Sequence, residues 1–249
     1  MRLIAKLDVK PPYVVKPVHF EGLRKVGEPA YLAKKYYEDG ADEIFYIDIV
    51  SSLYRREILY KEILQTADGI FVPLAVGGGV KTLEDFSQLF RSGADKVVVN
   101  THVLQNDPSL IDQAAKVFGS QSVVINIEAK KIGEDWVCYS DCGRIPSTRK
   151  VFDWIKEVAD RGAGEILLQS VDRDGRQRGF DIELIAKAVE LVDIPVVACS
   201  GAGSLEDILA VAKEARPSAI ALASVLHYEK ISLREIKSYF PGNRKAALQ

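Results

Sequence analysis

The sequence predicts an α/β fold, a (β/α)8 (TIM) barrel built from two half-barrel repeats. Three observations point to it: eight short apolar runs alternating with eight amphipathic segments, a length of 249 residues, and an internal repeat with a spacing of 122. The runs, rich in Val, Ile and Leu, cover 3–9, 43–49, 69–76, 96–100, 122–128, 165–170, 194–199 and 219–223. Each is too short for an ordinary helix and reads as a strand. The segments between and after them, 28–38, 55–66, 82–92, 108–118, 148–161, 181–191, 204–213 and 232–240, read as helices. Thr82 and Ser204 are suitable N-caps, each followed by acids in the first turn, where the helix dipole favours negative charge. Strict alternation implies parallel strands with right-handed crossovers. About 250 residues is the usual length of one closed barrel, with an open doubly wound sheet as the alternative.

The repeat sharpens that choice. Gly40-Ala41-Asp42-Glu43-Ile44 matches Gly162-Ala163-Gly164-Glu165-Ile166, Val72-Pro73-Leu74 matches Ile194-Pro195-Val196, and Thr82-Leu83-Glu84-Asp85 matches Ser204-Leu205-Glu206-Asp207, all in one register. Two halves of four strands, about 1–121 and 122–249, are expected to close a single barrel over 1–249. A repeat of this size is far longer than a solenoid unit.

Composition limits the function classes. Hydrophobic residues make up 47% and charged residues 27%, enough to bury a core without staples. With 33 Lys and Arg against 35 Asp and Glu, no general attraction to nucleic acid or an anionic membrane is expected. Three cysteines, an odd number, argue against a disulfide framework and fit a reducing compartment. Cys138 and Cys142 have no second Cys pair or nearby His to complete a zinc site, so no metal and no cofactor is expected. No apolar run is long enough to span a bilayer, and the first ten residues read as a strand, not a signal peptide. A cytoplasmic location is the expectation.

Barrel active sites form at the C-terminal ends of the strands. The third strand ends in Val76-Gly77-Gly78-Gly79 and the fourth in Asn100-Thr101; the seventh ends in Cys199-Ser200-Gly201-Ala202-Gly203 and the eighth in Ala223-Ser224. Glycines let backbone N–H groups approach an anion, the next helix start adds partial positive charge, and Asn, Thr and Ser add neutral donors. The same cradle occurs once per half, which suggests a ligand with a phosphate at both ends. Asp8 and Glu128 close corresponding strands and are expected to face each other across the mouth as a general acid/base pair. Asp48, Asp172 and Asp174 follow the second and sixth strands, and Lys16, before Pro17, reads equally as a phosphate contact or as a solvated surface lysine. His19, His102 and His227 sit in or beside loops and do not cluster. The stretch 134–144, with Trp136, Cys138 and Tyr139, reads as a small hairpin able to act as a lid.

These motifs, with Leu7-Asp8-Val9, Gly93-Ala94-Asp95-Lys96-Val97, Gly164-Glu165-Ile166-Leu167-Leu168 and Asp172-Arg173-Asp174-Gly175, occur in an order that resembles the cyclase subunit of imidazole glycerol phosphate synthase over nearly the whole chain. The resemblance implies a lyase of histidine biosynthesis. Ammonia from a glutaminase partner, in a heterodimer, passes through the barrel to a ribulosyl-formimino aminoimidazole carboxamide ribonucleotide with a phosphate at each end. It implies that Asp8 is a catalytic acid/base, with Glu128 in place of a second catalytic Asp. Gly79, Asn100 and Thr101 would hold one phosphate, and Asp174, Gly175, Gly203 and Ser224 the other, with Gly78 and Gly201 of the two Gly-rich loops beside them. Arg2, Glu43, Lys96 and Glu165 would form the charged ring where ammonia enters, with Asp95 against the glutaminase.

The departures lie mostly inside the barrel. Glu128 replaces Asp, and a displacement of about 1 Å can cost about 10²-fold in rate. Lys6 replaces a small Cys, and the two-residue strand period turns it inward. A buried Lys needs a partner; Glu128 is the first candidate and Asp8 the next. Asn126 and Gln169 also face inward, Gln169 replacing a Thr; Lys16-Pro17 stands for Lys-Gly, and Ser200 for a Gly. Two other readings stand beside the cyclase: a diverged paralogue supporting ammonia-dependent amidination of a surface sugar, and a non-catalytic scaffold binding a phosphorylated ligand.

Overall fold

The structure is a computed structural model that describes residues 1–18, 21–51 and 58–240. Eight parallel strands form the barrel: β1 (Arg2–Lys10), β4 (Glu43–Asp48), β5 (Leu74–Gly77), β6 (Lys96–Val99), β7 (Val123–Ile132), β10 (Glu165–Ser170), β11 (Val196–Cys199) and β12 (Ala219–Leu222). Each pairs in parallel with the next, and β12 returns to β1 with Arg2 opposite Ala219, so the sheet closes. Two antiparallel additions stand on the C-terminal end. β2 (Tyr13–Val18) and β3 (Glu21–Gly27) extend from β1; β8 (Asp135–Ser140) and β9 (Ile145–Lys150) extend from β7.

Alternation along the strands sorts the interior from the exterior. On β1, Leu3, Ala5, Leu7 and Val9 pack outward under the helices, while Ile4 joins Phe45, Val98, Val124, Leu167, Val197 and Ala219 in a separate apolar cluster on the barrel axis. Arg2 lies below that cluster, and Lys6 and then Asp8 lie above it. Polar layers therefore cap an apolar plug at both ends.

Helices Pro29–Glu38, Tyr60–Ala67, Leu83–Arg91, Ser109–Phe118, Val151–Asp160, Ile182–Leu191, Leu205–Glu214 and Leu233–Ser238 follow the expected segments. The start of the segment expected over 55–66 includes residues outside those described. Thr82 and Ser204 both cap their helices, and each forms a full capping box, with Asp85 and Asp207 respectively. The boxes occupy matching places in the repeat.

Three boundaries differ from expectation for identifiable reasons. The runs 69–76 and 194–199 become strands only at Leu74 and Val196, because Pro73 and Pro195 have no N–H for the ladder. Their carbonyls still accept from Ile44 N and Ile166 N at 2.9 Å. Residues 148–150 belong to β9, so the helix begins at Val151, and the expected hairpin is a three-stranded extension of β7. The β2–β3 hairpin was not expected. Among the described residues, no helix is long and apolar enough to cross a membrane.

Candidate active site

Among the described residues, a larger and a smaller cavity open at the C-terminal end of the barrel. The larger, about 350 Å³, is lined by Gly78, Gly79, Asn100 and Thr101, together with Asp48, Asn126, Glu128 and Gln169. The smaller, about 20 Å³, is lined by Lys16, Asp174, Gly175, Ser200, Gly201 and Ser224. Each contains one of the expected cradles. Gly203 lines neither; its N–H donates to Asp207 Oδ2 at 2.9 Å as part of the helix cap. Gly78 and Gly201 both have φ of +111°, and a Cβ at either would overlap a carbonyl oxygen, of Asp48 and Gly179 respectively. Tight packing and left-handed backbone require glycine at both places. Ser200 adopts φ of +76° without being glycine.

Between the cradles lies a buried charge cluster. Lys6 Nζ ion-pairs with Asp8 Oδ1, and Lys16 Nζ lies 3.3 Å from Asp8 Oδ2 and 3.1 Å from Asp174 Oδ1. The expected Lys6–Glu128 contact is not made. Lys6 and Asp8 are two apart on one strand, so the lysine stem rises directly to the carboxylate above it. Burial opposes charge on all three groups, yet mutual attraction wins: the Asp8 carboxyl is held below its ordinary value, and the Lys6 and Lys16 amines above theirs. Lys16 is buried, not solvated, and bridges two carboxylates. Asp8 lines neither cavity, since lysines cover both of its oxygens.

Glu128 stands in a different environment. Burial pushes its carboxyl up to about 7, against the pull of the Gly143 N–H, which donates to Oε2 at 2.7 Å. Below it, Gln169 Nε2 donates to Asn126 Oδ1 at 2.7 Å, and Asn126 Nδ2 to Glu128 Oε1 at 3.5 Å. The carboxyls that end the corresponding strands β1 and β7 are thus unlike groups: Asp8 held low by two lysines, Glu128 pushed up to about 7.

The β8–β9 turn covers the larger cavity. Asp141, Cys142 and Gly143 have φ of 50°, 60° and 70°, and the turn is tied down by Asp141 N donating to Thr101 Oγ1 at 3.3 Å and Cys142 Sγ to Ile49 O at 2.6 Å. The lining roles of Asp141 and Cys142 escaped sequence reasoning; the Asp-Cys-Gly turn was its only available signal. Other expected groups are spoken for. Asp48 Oδ1 accepts from Val50 N at 3.1 Å, and Asp172 Oδ2 from Lys131 N at 2.8 Å. His102 and His227 lie in the short helices Thr101–Gln105 and Ser224–His227. Burial lowers His227 to about 4, and its Nδ1 meets Tyr36 Oη at 2.7 Å. His19 lies outside the described residues. Cys138, Cys142 and Cys199 are free thiols, and among the described residues no three His, Cys, Asp or Glu gather as metal ligands.

At the opposite end of the barrel, Arg2, Glu43, Lys96 and Glu165 close a four-membered ion-pair ring. Arg2 pairs with both glutamates, and Lys96 lies 2.8 Å from Glu43 Oε1 and from Glu165 Oε2. Asp95 is exposed beside it, its Oδ2 accepting from Leu74 N at 2.8 Å.

Comparison with known proteins agrees with this architecture. A family model described as "Histidine biosynthesis protein" matches residues 2–232. The imidazole glycerol phosphate synthase subunit HisF of Thermococcus onnurineus is 47% identical over 238 residues, 96% of this chain and 94% of that protein. Its namesake from Myxococcus xanthus is 44% identical, over 95% of this chain and 93% of that protein, and that from Pyrococcus furiosus 43%, over 97% and 96%. A closed (β/α)8 barrel with a Gly-rich cradle in each half, matched along almost its whole length, belongs to the histidine biosynthesis protein family and, within it, with the HisF subunits of imidazole glycerol phosphate synthase.

Proposed function

We propose that this chain is the cyclase of an imidazole glycerol phosphate synthase. It combines ammonia with a bis-phosphorylated aminoimidazole carboxamide ribonucleotide to give imidazole glycerol phosphate and an aminoimidazole carboxamide ribonucleotide. The observation that carries this reading is the pair of phosphate cradles at one barrel mouth, one in each half, with acid/base groups between them. Gly78, Gly79, Asn100 and Thr101 hold one phosphate. Gly175, Gly201 and Ser224 hold the other, with Asp174 fixing Lys16 beside it. Gly203 supports that loop through the helix cap. Glu128, near its midpoint at neutral pH, both gives and takes a proton there, and Asp8 acts as the stronger acid's conjugate base.

The chain works as one barrel whose halves meet near residue 121. Its N-terminal end is the docking face for a glutaminase, in a heterodimer: the ion-pair ring lies on the barrel axis, with Asp95 beside it and Phe71, 85% exposed, in the loop leading into β5. No membrane or nucleic-acid partner and no cofactor enters this scheme. Steady-state turnover of the ribonucleotide with an ammonium salt tests the reading. Turnover lost in Asp8→Asn is expected. No wild-type turnover at high ammonium, with phosphate binding retained, would overturn it in favour of a binding scaffold.

A further inference from the structure

Among the described residues, Lys6 alone lines both cavities. A ligand seated in the two cradles at once therefore passes over the Lys6 side chain at its middle. The same lysine covers one oxygen of Asp8, while Lys16 covers the other, and Asp8 reaches neither cavity. Lys16 is tied to Asp174 as well, so its position is fixed from two sides; among the described residues, Lys6 has Asp8 as its only ion-pair partner. As the cluster stands, the carboxylate assigned to acid/base work is shut away from the substrate, by the fixed Lys16 on one oxygen and by Lys6 on the other.

We propose that Lys6 is a further catalytic residue of this site: on binding of the bis-phosphorylated substrate, its ammonium leaves Asp8 and donates to an oxygen at the middle of the substrate, which uncovers Asp8. The inference deepens the cyclase reading and rests on it. The exchange moves no proton and breaks no covalent bond. A buried ammonium exchanges one oxygen acceptor for another, so its charge is never left without a partner. Asp8, left with Lys16 alone, becomes a stronger base where the substrate needs one. A neutral or small side chain at position 6 would leave Asp8 open in the resting enzyme and give no donor at the ligand's middle.

The groups facing Asp8 are Lys6 from its own strand, Lys16 from β2, and His227 from the helix after β12, with Cys199 of β11, Cys142 of the β8–β9 turn and Asp174, held through Lys16, farther out; Glu128 closes the corresponding strand β7. Lys6 also holds Glu128 down, so Lys6→Met raises Glu128 as well; that rise falls on free enzyme and complex alike and does not by itself split their pH profiles.

The test has two parts. In Lys6→Met, kcat/KM with the ribonucleotide and ammonium is expected to fall about 10- to 150-fold, the worth of one hydrogen bond from a charged donor. The acidic limb of kcat/KM, which reports the free enzyme, is expected to move to higher pH by more than that of kcat, which reports the complex and carries only the shared rise of Glu128. A purely structural lysine gives no such split. In the wild-type chain, 15N-lysine NMR is expected to show the Lys6 Nζ signal unmoved by inorganic phosphate and shifted by the bis-phosphorylated substrate. This second part stands even if Lys6→Met fails to fold. Wild-type turnover with unchanged Lys6→Met kinetics, or a Lys6 signal that ignores the substrate, would overturn the inference alone. Absence of wild-type turnover would overturn the cyclase reading and this inference with it.

Discussion

Replacing Glu128 by Gln removes a buried carboxyl while retaining an oxygen to accept from the Gly143 N–H. Burial lifts this carboxyl from 4.5 to about 7, which corresponds to roughly 3 kcal/mol of discrimination against its charged form. In the unfolded chain Glu128 loses its proton near 4.5; in the folded chain it keeps it to about 7. Between those values the folded state binds more protons, so this group makes stability fall as pH rises and leaves a constant cost above about 7. The variant lacks that cost. Urea unfolding of both proteins from pH 4.5 to 8.5 is the assay. Relative to wild type, Glu128→Gln should gain about 3 kcal/mol across the window, or about 6–12 °C in Tm for a chain of this size. Contributions from Asp8 and the other carboxylates are common to both and drop out of the difference. A difference independent of pH would refute the reasoning, since it would mean that Glu128 is as easily ionised folded as unfolded.

Further expectations follow from the same geometry. Lys96→Met leaves Glu43 and Glu165, both buried, to share Arg2; a loss of about 3 kcal/mol is expected at pH 8, shrinking towards pH 5 as Glu43, already raised by burial, takes a proton. Gly201→Ala places a methyl group against the Gly179 carbonyl at φ of +111° and should cost about 2–3 kcal/mol and weaken phosphate binding at the smaller cavity, measured by calorimetry and ligand titration. Trp136→Ala empties a fully buried site under the β8–β9 extension and removes the bond from its indole N–H to Asp181 at 3.1 Å. A loss of about 3–5 kcal/mol in urea unfolding is expected.

Much of this structure is legible in the sequence because the signals are local. The strands announce themselves as short apolar runs, and the repeat of Thr82 and Asp85 by Ser204 and Asp207 reports two identical helix starts. The inward direction of Lys6, Asp8, Asn126, Glu128 and Gln169 follows from strand period alone. What period cannot supply is the partner chosen inside a crowded layer. Glu128 and Asp8 were both candidates for Lys6; the outcome depends on the Gly143 N–H reaching Glu128 from a turn fifteen residues on, and on Lys6 lying directly beneath Asp8. The burial of Lys16 was hidden for a similar reason. It depends on the β2–β3 hairpin, whose strands interrupt their register and show no clean alternation. Gly203, which the resemblance sets at a phosphate, donates its N–H to Asp207 Oδ2 beside the Ser204–Asp207 capping box of the next helix, a bond that no strand or loop pattern announces.

The central claim is that one ligand, phosphorylated at both ends, spans the two cradles across Lys6. A crystal structure of the chain with its bis-phosphorylated ribonucleotide tests it most directly. The expected result is one phosphate against Gly79 and Thr101, the other against Gly201 and Ser224, and the Lys6 ammonium turned from Asp8 to the middle of the ligand. A ligand held by a single cradle, or lying outside both, would contradict it.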